Sequence, residues 1–472
     1  MDNSAIQPYD LAVIGSGSAA KAAATEARRR GRSVVMVERG EPAGTCLDVG
    51  CVPSKSLLAA AAVRATAQGG RFPGITASAG PVDLALLVKD KDRFITERRE
   101  EDHVKGAEQA GITLLRGTAS FTSSSQEHVG LLVTGPDGDE TPITAEHVLI
   151  GTGAQPFVPD VPGLDTVDYL TSSTAMSLER VPASLLVIGA NAIGLEQAQL
   201  FARLGARTTV VELSDRIAPF EDPAISAALQ QALSEEGIEF LTAANLTGVE
   251  AAGEEVLATV TVDGDTLKVP AEKLLVATGR RPVTDGLNLE SVGVAVGPRG
   301  EVVVDEHLRT AHPRIWAAGD VTGQRQFVYV AGAQGAMAAA NAFGGGTQTL
   351  DYTALPRVTF TSPALASVGM TPAQARAAGQ PCEVRELPIA FVPRAAINRH
   401  TGGLLKLVSD PGTDRVLGVH MVGEEAGEVI TAATYALSAG FTVQQLATTW
   451  TPFLTMAESL SIVARMPPAA HD

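Results

Sequence analysis

Apolar residues in this chain gather in short runs that end abruptly at glycine. Leu11-Ala-Val-Ile14 leads straight into Gly15-Ser-Gly17, which predicts a buried strand closing on a tight turn. A stretch rich in Ala and Arg predicts a helix next, and Ser33-Val-Val-Met-Val-Glu38 predicts a second strand ending in an acid. The same order returns in Leu185-Leu-Val-Ile-Gly189-Ala-Asn191-Ala-Ile-Gly194-Leu-Glu196, closed by Thr208-Thr-Val-Val-Glu212. Glu38 lies 23 residues after Gly15, and Glu212 lies 23 residues after Gly189. Such an internal echo predicts two separate dinucleotide sites in an α/β fold.

Each position in the first copy has a physical reason. Gly15 permits the turn, Gly17 lets a pyrophosphate approach the helix N-terminus, and Ala20 is small enough for close helix–strand packing. Glu38 can accept a hydrogen bond from a ribose hydroxyl. In the second copy Asn191 stands where the middle glycine is expected, and Asn tolerates positive φ better than most residues. Glu212 suits the two hydroxyls of NADH and repels the 2′-phosphate of NADPH, so NADH is favoured, with Arg207 and Arg216 nearby to offset part of that repulsion. Two further strand-to-glycine turns follow, Ile150-Gly-Thr152-Gly153 and Val276-Ala-Thr278-Gly279, one after each fingerprint. A last strand, Arg314-Ile-Trp316, runs into Ala317-Ala-Gly319-Asp320, whose aspartate is placed to accept from a flavin's sugar chain or, more plainly, to cap a helix.

Between the first fingerprint and its later turns lies Gly44-Thr45-Cys46-Leu-Asp-Val-Gly-Cys51-Val-Pro-Ser-Lys55, which holds two of the chain's three cysteines. Pro53 suits the first turn of a helix, so Cys51 falls near a helix N-terminus, where the backbone dipole favours a thiolate. Five residues apart on a regular helix, the two sulfurs would be too far apart to bond, so Gly50 is expected to distort the turn. A cysteine pair beside a dinucleotide fold points to a disulfide that trades electrons with a flavin. Cys382, alone between Pro381 and Glu383, reads as a packing residue.

Composition narrows the classes. Length alone suggests about three domains. A formal charge of −17 argues against nucleic-acid and anionic-membrane surfaces. No run of about 18 apolar residues appears, which argues against a membrane span. Leu11-Ala-Val-Ile14 lacks the basic flank of a signal peptide. Three cysteines make no structural disulfide framework, and a cytoplasmic location follows.

On these residues the chain resembles the FAD-dependent pyridine nucleotide–disulfide oxidoreductases (class I), from about residue 8 to 465, and within them the mercuric-reductase branch. Cys-x4-Cys followed by Val-Pro-Ser-Lys carries the family likeness. Thr171-Ser-Ser-Thr-Ala175, Gln326-Phe-Val-Tyr-Val-Ala331, Val392-Pro-Arg394-Ala and Phe453-Leu-Thr-Met-Ala-Glu458 carry the branch. The resemblance implies a discontinuous FAD-binding domain over 1–157 and 282–348, an NAD(P)-binding domain over 158–281, and an α+β dimerisation domain over 349–472. It also implies a homodimer. FAD would be held by Gly15, Gly17, Ala20, Glu38, Gly44, Thr45, Thr152, Gly153 and Asp320. The nicotinamide nucleotide would be held by Gly189, Asn191, Gly194, Glu212 and Gly279.

The resemblance further implies roles. Cys51 is the thiolate against the flavin, Cys46 the outer thiol that attacks or ligates substrate, and Lys55 and Glu196 an ion pair beside the flavin. Phe453 stands where disulfide reductases of the family place a general-acid histidine, while Glu458 remains. Losing such an acid typically costs about 10²- to 10⁴-fold. His400 and His420 are the remaining candidates for it. A soft metal needs thiolates and no leaving-group proton, so Hg(II) or a related electrophile is the favoured acceptor, with Cys46 and Cys51 as its ligands. Tyr169 matches a tyrosine of the mercuric-reductase site. Against that branch, no metal-binding domain precedes the first fingerprint, and the tail carries no cysteine pair. The alternatives are reduction of a small-molecule disulfide, and a non-catalytic flavoprotein that binds a thiophilic metal or responds to redox state.

Overall fold

The computed structural model describes residues 8–469. The chain forms two compact units. Of the described residues, the first takes 8–56, then Val88–Phe157 and Gly279–Leu350; the second takes Leu57–Leu87, Val158–Thr278 and 351–469.

The first unit is built on a seven-stranded sheet. Strands β1 (Tyr9–Ile14), β2 (Val34–Glu38) and β3 (Ile112–Arg116) are parallel, as are β1 and β6 (Glu140–Ile150). β4 (Thr118–Ser124) and β5 (Val129–Thr134) continue the sheet antiparallel, giving the order β3-β2-β1-β6-β5-β4, and the short strand Ile315–Ala317 pairs with β6. Both faces of the parallel part are covered. Ala12, Ile14, Val35 and Val37 enter one core, and Leu11, Val13, Val34 and Met36 enter the other. That two-sided burial is why these strands read as unbroken apolar runs.

Helix α1 (Ser18–Arg29) lays an all-alanine face, Ala19, Ala20, Ala23, Ala24 and Ala27, into the second of these cores. Its partner is the helix Val328–Gly344, which carries Gly335 at the crossing. A Cβ built on Gly335 would lie 2.0 Å from the carbonyl oxygen of Ala19, so the two backbones touch. Small residues on both sides are the condition for that approach.

The second unit holds a five-stranded parallel sheet in the order 239–241, 207–211, 184–188, 273–276, 169–171. A three-stranded antiparallel sheet over 244–271 packs on it through Leu246, Val249, Ala258 and Val260. The unit also contains a five-stranded antiparallel sheet over 357–423, covered by helices Ala426–Ser438 and Glu458–Arg465. Asp222 caps the helix Pro223–Glu235 through the amides of Ala224 and Ile225. Both of its oxygens also accept from Lys406 on the C-terminal sheet, at 2.9 and 3.0 Å. This buried ion pair ties the two sheets of the unit together.

The stretch Gly44–Gln68 is long and apolar enough to cross a membrane by length and composition. It is broken at Val49 and Gly50 into α2 (Gly44–Asp48) and α3 (Cys51–Gln68), and it carries Asp48, Lys55 and Arg64.

Replacing Gly335 with Ala should force α1 and its partner helix apart, at about 1–3 kcal/mol. A urea-unfolding midpoint unchanged from wild type would contradict this account of the helix crossing.

Candidate functional site

The first fingerprint folds as a strand, a turn and an uncapped helix. Gly15 sits at φ +104°, and a Cβ there would lie 2.4 Å from the carbonyl oxygen of Gly151. Gly17 is the N-cap of α1 and offers no side chain to the helix amides, so those donors are left for an anion. Ala20 is fully buried against Gly151. At the end of β2, Glu38 accepts from the Ser16 hydroxyl at 2.7 Å and from the Gly40 amide at 2.8 Å. Ser16 in turn accepts from the Ala43 amide at 3.1 Å, so one hydroxyl links the turn, the acid and the approach to the cysteines.

The cysteine segment rests directly on that turn. Gly44 has φ +72°, and its Cβ would lie 2.4 Å from the Cα of Gly17. Only glycine at 44 allows this approach. After α2, the chain doubles back at Gly50, where a Cβ would lie 2.8 Å from the carbonyl oxygen of Thr45. The expected distortion is therefore present, and it brings the two sulfurs together. They are thiols, not bonded to each other, and they are hydrogen-bonded; Cys51 is exposed and Cys46 half-buried. The Cys46 thiol is pushed well up, first by its hydrogen bond to Cys51, then by burial and by the negative charge of Cys51. Lys55 pulls it the other way, and Asp320 adds to the rise. Lys55 and Asp320 thus both stand near the pair.

Asp320 is paired with a residue that the sequence reading did not single out. Arg280 Nε lies 3.9 Å from its Oδ2, while Nη2 donates to the Ala154 carbonyl and, at 3.4 Å, to the Thr45 hydroxyl. Burial pushes the Asp320 carboxyl up and the Arg280 guanidinium down, and each offsets the other; the charge of Cys51 also favours the guanidinium. The Arg-Arg pair straight after the Gly279 turn was the available signal. Thr152 spends its hydroxyl on the Val283 carbonyl at 2.6 Å, and the Gly153 carbonyl accepts from the Val283 amide at 3.0 Å. Gly279, expected with the second nucleotide, lies in the first unit, its carbonyl accepting from the Phe157 amide at 2.9 Å. The bare amides of α1, the glycine-to-glycine cradle and the acids at 38 and 320 suit a flavin dinucleotide.

In the second unit the fingerprint repeats. Gly189 takes the positive φ, +103°, and a Cβ on Gly194 would lie 1.9 Å from the Gly189 carbonyl oxygen. Asn191 is extended at φ −99°, so its tolerance of positive φ is not called upon, and it caps helix Ala192–Leu204 without a side-chain bond. Glu212 accepts from the Ala190 amide at 2.7 Å and the Ser214 amide at 2.8 Å. Arg216 is engaged with Asp215 and the Pro219 carbonyl, each at 2.9 Å, and Arg207 is exposed. Glu196 is buried, with Oε1 accepting from the Phe360 amide at 2.9 Å. Tyr169 opens the edge strand Tyr169–Thr171 and packs beside the sheet core.

The Phe453 turn is held by its backbone. Leu454 has φ +60°, its amide donates to Glu458 at 3.2 Å, and its carbonyl accepts from Arg394 at 2.6 Å. Glu458 thus orients a backbone amide. Phe453 is left 74% exposed, and nearby Trp450 is 98% exposed. Of the two histidines considered as acids, His420 is wholly buried with Nε2 at 2.9 Å from the Met370 carbonyl, and His400 pairs with Glu424 at 3.0 Å.

Residues 9–335 match the family described as pyridine nucleotide-disulphide oxidoreductase, and residues 355–464 match its dimerisation domain. The chain is 54% identical over 459 residues to the mercuric reductase of Streptomyces lividans, covering 97% of this chain and 96% of that one. It is 45% identical over 454 residues to the mercuric reductase of Bacillus cereus, covering 96% and 70%. Among solved structures it is similar to the Cu(II) complex of the HOCl-induced flavoprotein disulfide reductase RclA of Escherichia coli. That likeness has 30% identity and a TM-score of 0.86, and it covers 97% of this chain and 99% of that one.

Replacing Cys51 with Ala removes the largest cause of the raised Cys46 pKa and one of the lesser ones. The pH at which Cys46 becomes reactive should therefore fall toward the ordinary thiol value of about 8.5. Replacing Lys55 with Met should move it the opposite way. Rates of iodoacetamide labelling of the Cys46 peptide against pH, read by mass spectrometry on reduced protein, check both signs.

Proposed function

The chain belongs to the pyridine nucleotide-disulphide oxidoreductase family as a FAD-dependent, NAD(P)H-using flavoprotein like mercuric reductase, and from that premise we propose that Cys46 and Cys51 reduce a soft metal ion, Hg(II) or a related electrophile. The observation that carries this reading is a pair of touching thiols in a chain that has Phe453 at the sequence position where a disulfide reductase carries its proton donor. A thiophilic cation is taken by thiolates and has no leaving group to protonate. A disulfide substrate does, and Phe453 carries no proton to give, while His420 is wholly buried with Nε2 at the Met370 carbonyl. The names of the relatives point the same way: two are mercuric reductases, and RclA is described with Cu(II).

FAD, when bound, supplies the two-electron relay between the reduced nicotinamide and the cysteines. The amides of α1, with Gly15, Gly17, Gly44 and Thr45 around them, would hold its pyrophosphate. Glu38 would take a ribose, and Thr152, Gly153 and Asp320 would line its inner end. Cys51 keeps the negative charge of the pair, and Cys46, the thiol held protonated, gives up its proton when the acceptor is ligated. Formation of the S–S bond releases two electrons to that acceptor. Lys55 stabilises negative charge at the pair.

The nicotinamide nucleotide would bind at Gly189, Asn191, Gly194 and Glu212. NADH is favoured because the Glu212 carboxylate is fixed by two amides and Arg216 is turned to other partners. The working form is a homodimer, in which the second copy covers the exposed Trp450 and Phe453; a reducing cytoplasm suits the thiol pair.

NADH-reduced protein under anaerobic conditions should be reoxidised by Hg(II), while lipoamide and glutathione disulfide give negligible turnover. No Hg(II)-dependent NADH consumption would remove mercury as the substrate. A Cys46→Ala variant should still accept electrons from NADH yet lose acceptor turnover by at least about 100-fold. For the nucleotide, kcat/KM should favour NADH over NADPH by at least about tenfold, and Glu212→Ala should narrow that ratio.

A further inference from the structure

Between the two cysteines, at the last residue of α2, stands Asp48. Two nitrogens of Arg99, Nε at 3.1 Å and Nη2 at 2.5 Å, converge on its Oδ1. Both side chains are about four-fifths buried. Arg99 opens a π-helical stretch, Arg99–Lys105, that continues from the helix Leu84–Arg98. π-Turns cost hydrogen-bond geometry and tend to be kept where a side chain must be placed. This one is fastened to the nucleotide helix, since Lys21 of α1 donates to the Asp102 carbonyl at 2.8 Å. Burial pushes the Asp48 carboxyl up, with Glu38 and Glu41 adding to that, and Arg99 opposes it. Glu41 is itself drawn to Arg116 at 2.7 Å and to Arg99 at 3.9 Å.

We propose that Asp48 and Arg99 form a positioning pair that holds Cys46 against Cys51 and so sets the redox equilibrium of the dithiol. The inference rests on the reading that this pair cycles. Without the tether, the segment between the cysteines is anchored by its glycine contacts and by Leu47, which packs with Ala43, Ile95 and Val52, and the effective concentration of one sulfur at the other falls. The disulfide is then less favoured and easier to reduce. Neither Asp48 nor Arg99 takes part in the chemistry.

The test is equilibration of the holoprotein with mixtures of reduced and oxidised glutathione. Glutathione disulfide takes up two electrons and two protons and becomes two thiols, as Cys46 and Cys51 lose them and bond. Alkylation and mass spectrometry then read the oxidised fraction. Asp48→Ala and Arg99→Ala should each lower the equilibrium constant for disulfide formation about tenfold. That is a midpoint about 30 mV less negative. The double variant should shift no further, because the two act as one unit. Asp48→Asn keeps the shape and one acceptor for Arg99, should shift about threefold, and carries the test alone if the alanine forms do not fold. Wild-type equilibrium constants in the variants, or additive shifts in the double variant, would overturn the pairing. A wild-type protein that forms no reversible Cys46–Cys51 disulfide would instead overturn the reading beneath it.

Discussion

The approach of Gly44 to Gly17 is the constraint on which the first unit's chemistry depends. The cysteines come to the nucleotide turn because two backbones meet where any side chain at 44 would collide at 2.4 Å. The positive φ at Gly44 turns the chain into α2, and the absent side chain at Gly50 lets it double back so that Cys51 reaches Cys46. Ser16 then binds both Glu38 and the Ala43 amide, locking the acid and the cysteine segment to one turn. Dinucleotide cradle and thiol pair are therefore one structural object, and a change at 17, 44 or 50 would disturb both.

What could be read from the sequence follows from range. The strand-to-glycine turns, the helix after Gly17 and the break at Gly50 are local, each dictated by a few neighbouring residues. Periodicity and turn chemistry reach that far. Arg280, Arg99 and Asp48 were not legible in the same way. Arg280 meets Asp320 across 40 positions, and Arg99 meets Asp48 across 51. A buried charge of this kind has no visible role until the fold supplies its partner, because one Arg of an Arg-Arg pair reads as surface. Asn191 shows the converse. An asparagine in place of the middle glycine suggests a residue chosen for its tolerance of positive φ, yet the left-handed position in this turn belongs to Gly189 and Asn191 is extended.

The electrostatics of the first unit favour a pair that carries one charge. Two thiolates in contact repel, so the second ionisation is held back; Lys55 alone does not reverse that, and Asp320 opposes it. A single negative charge shared by hydrogen-bonded sulfurs suits transfer to a cation.

The two fingerprints share a spacing but anchor their acids differently, and the difference bears on selectivity. Glu38 is held by a hydroxyl and one amide, Ser16 and Gly40, whereas Glu212 is held by two amides, those of Ala190 and Ser214. A hydroxyl can rotate and exchange partners as a ligand arrives. Backbone amides in a strand-to-helix turn cannot. The Glu212 carboxylate is therefore held in place by the backbone itself. On the NADH preference proposed above, a 2′-phosphate meeting it would have to displace two charge-assisted bonds or accept the repulsion, while a ribose diol needs only the lone pairs that remain.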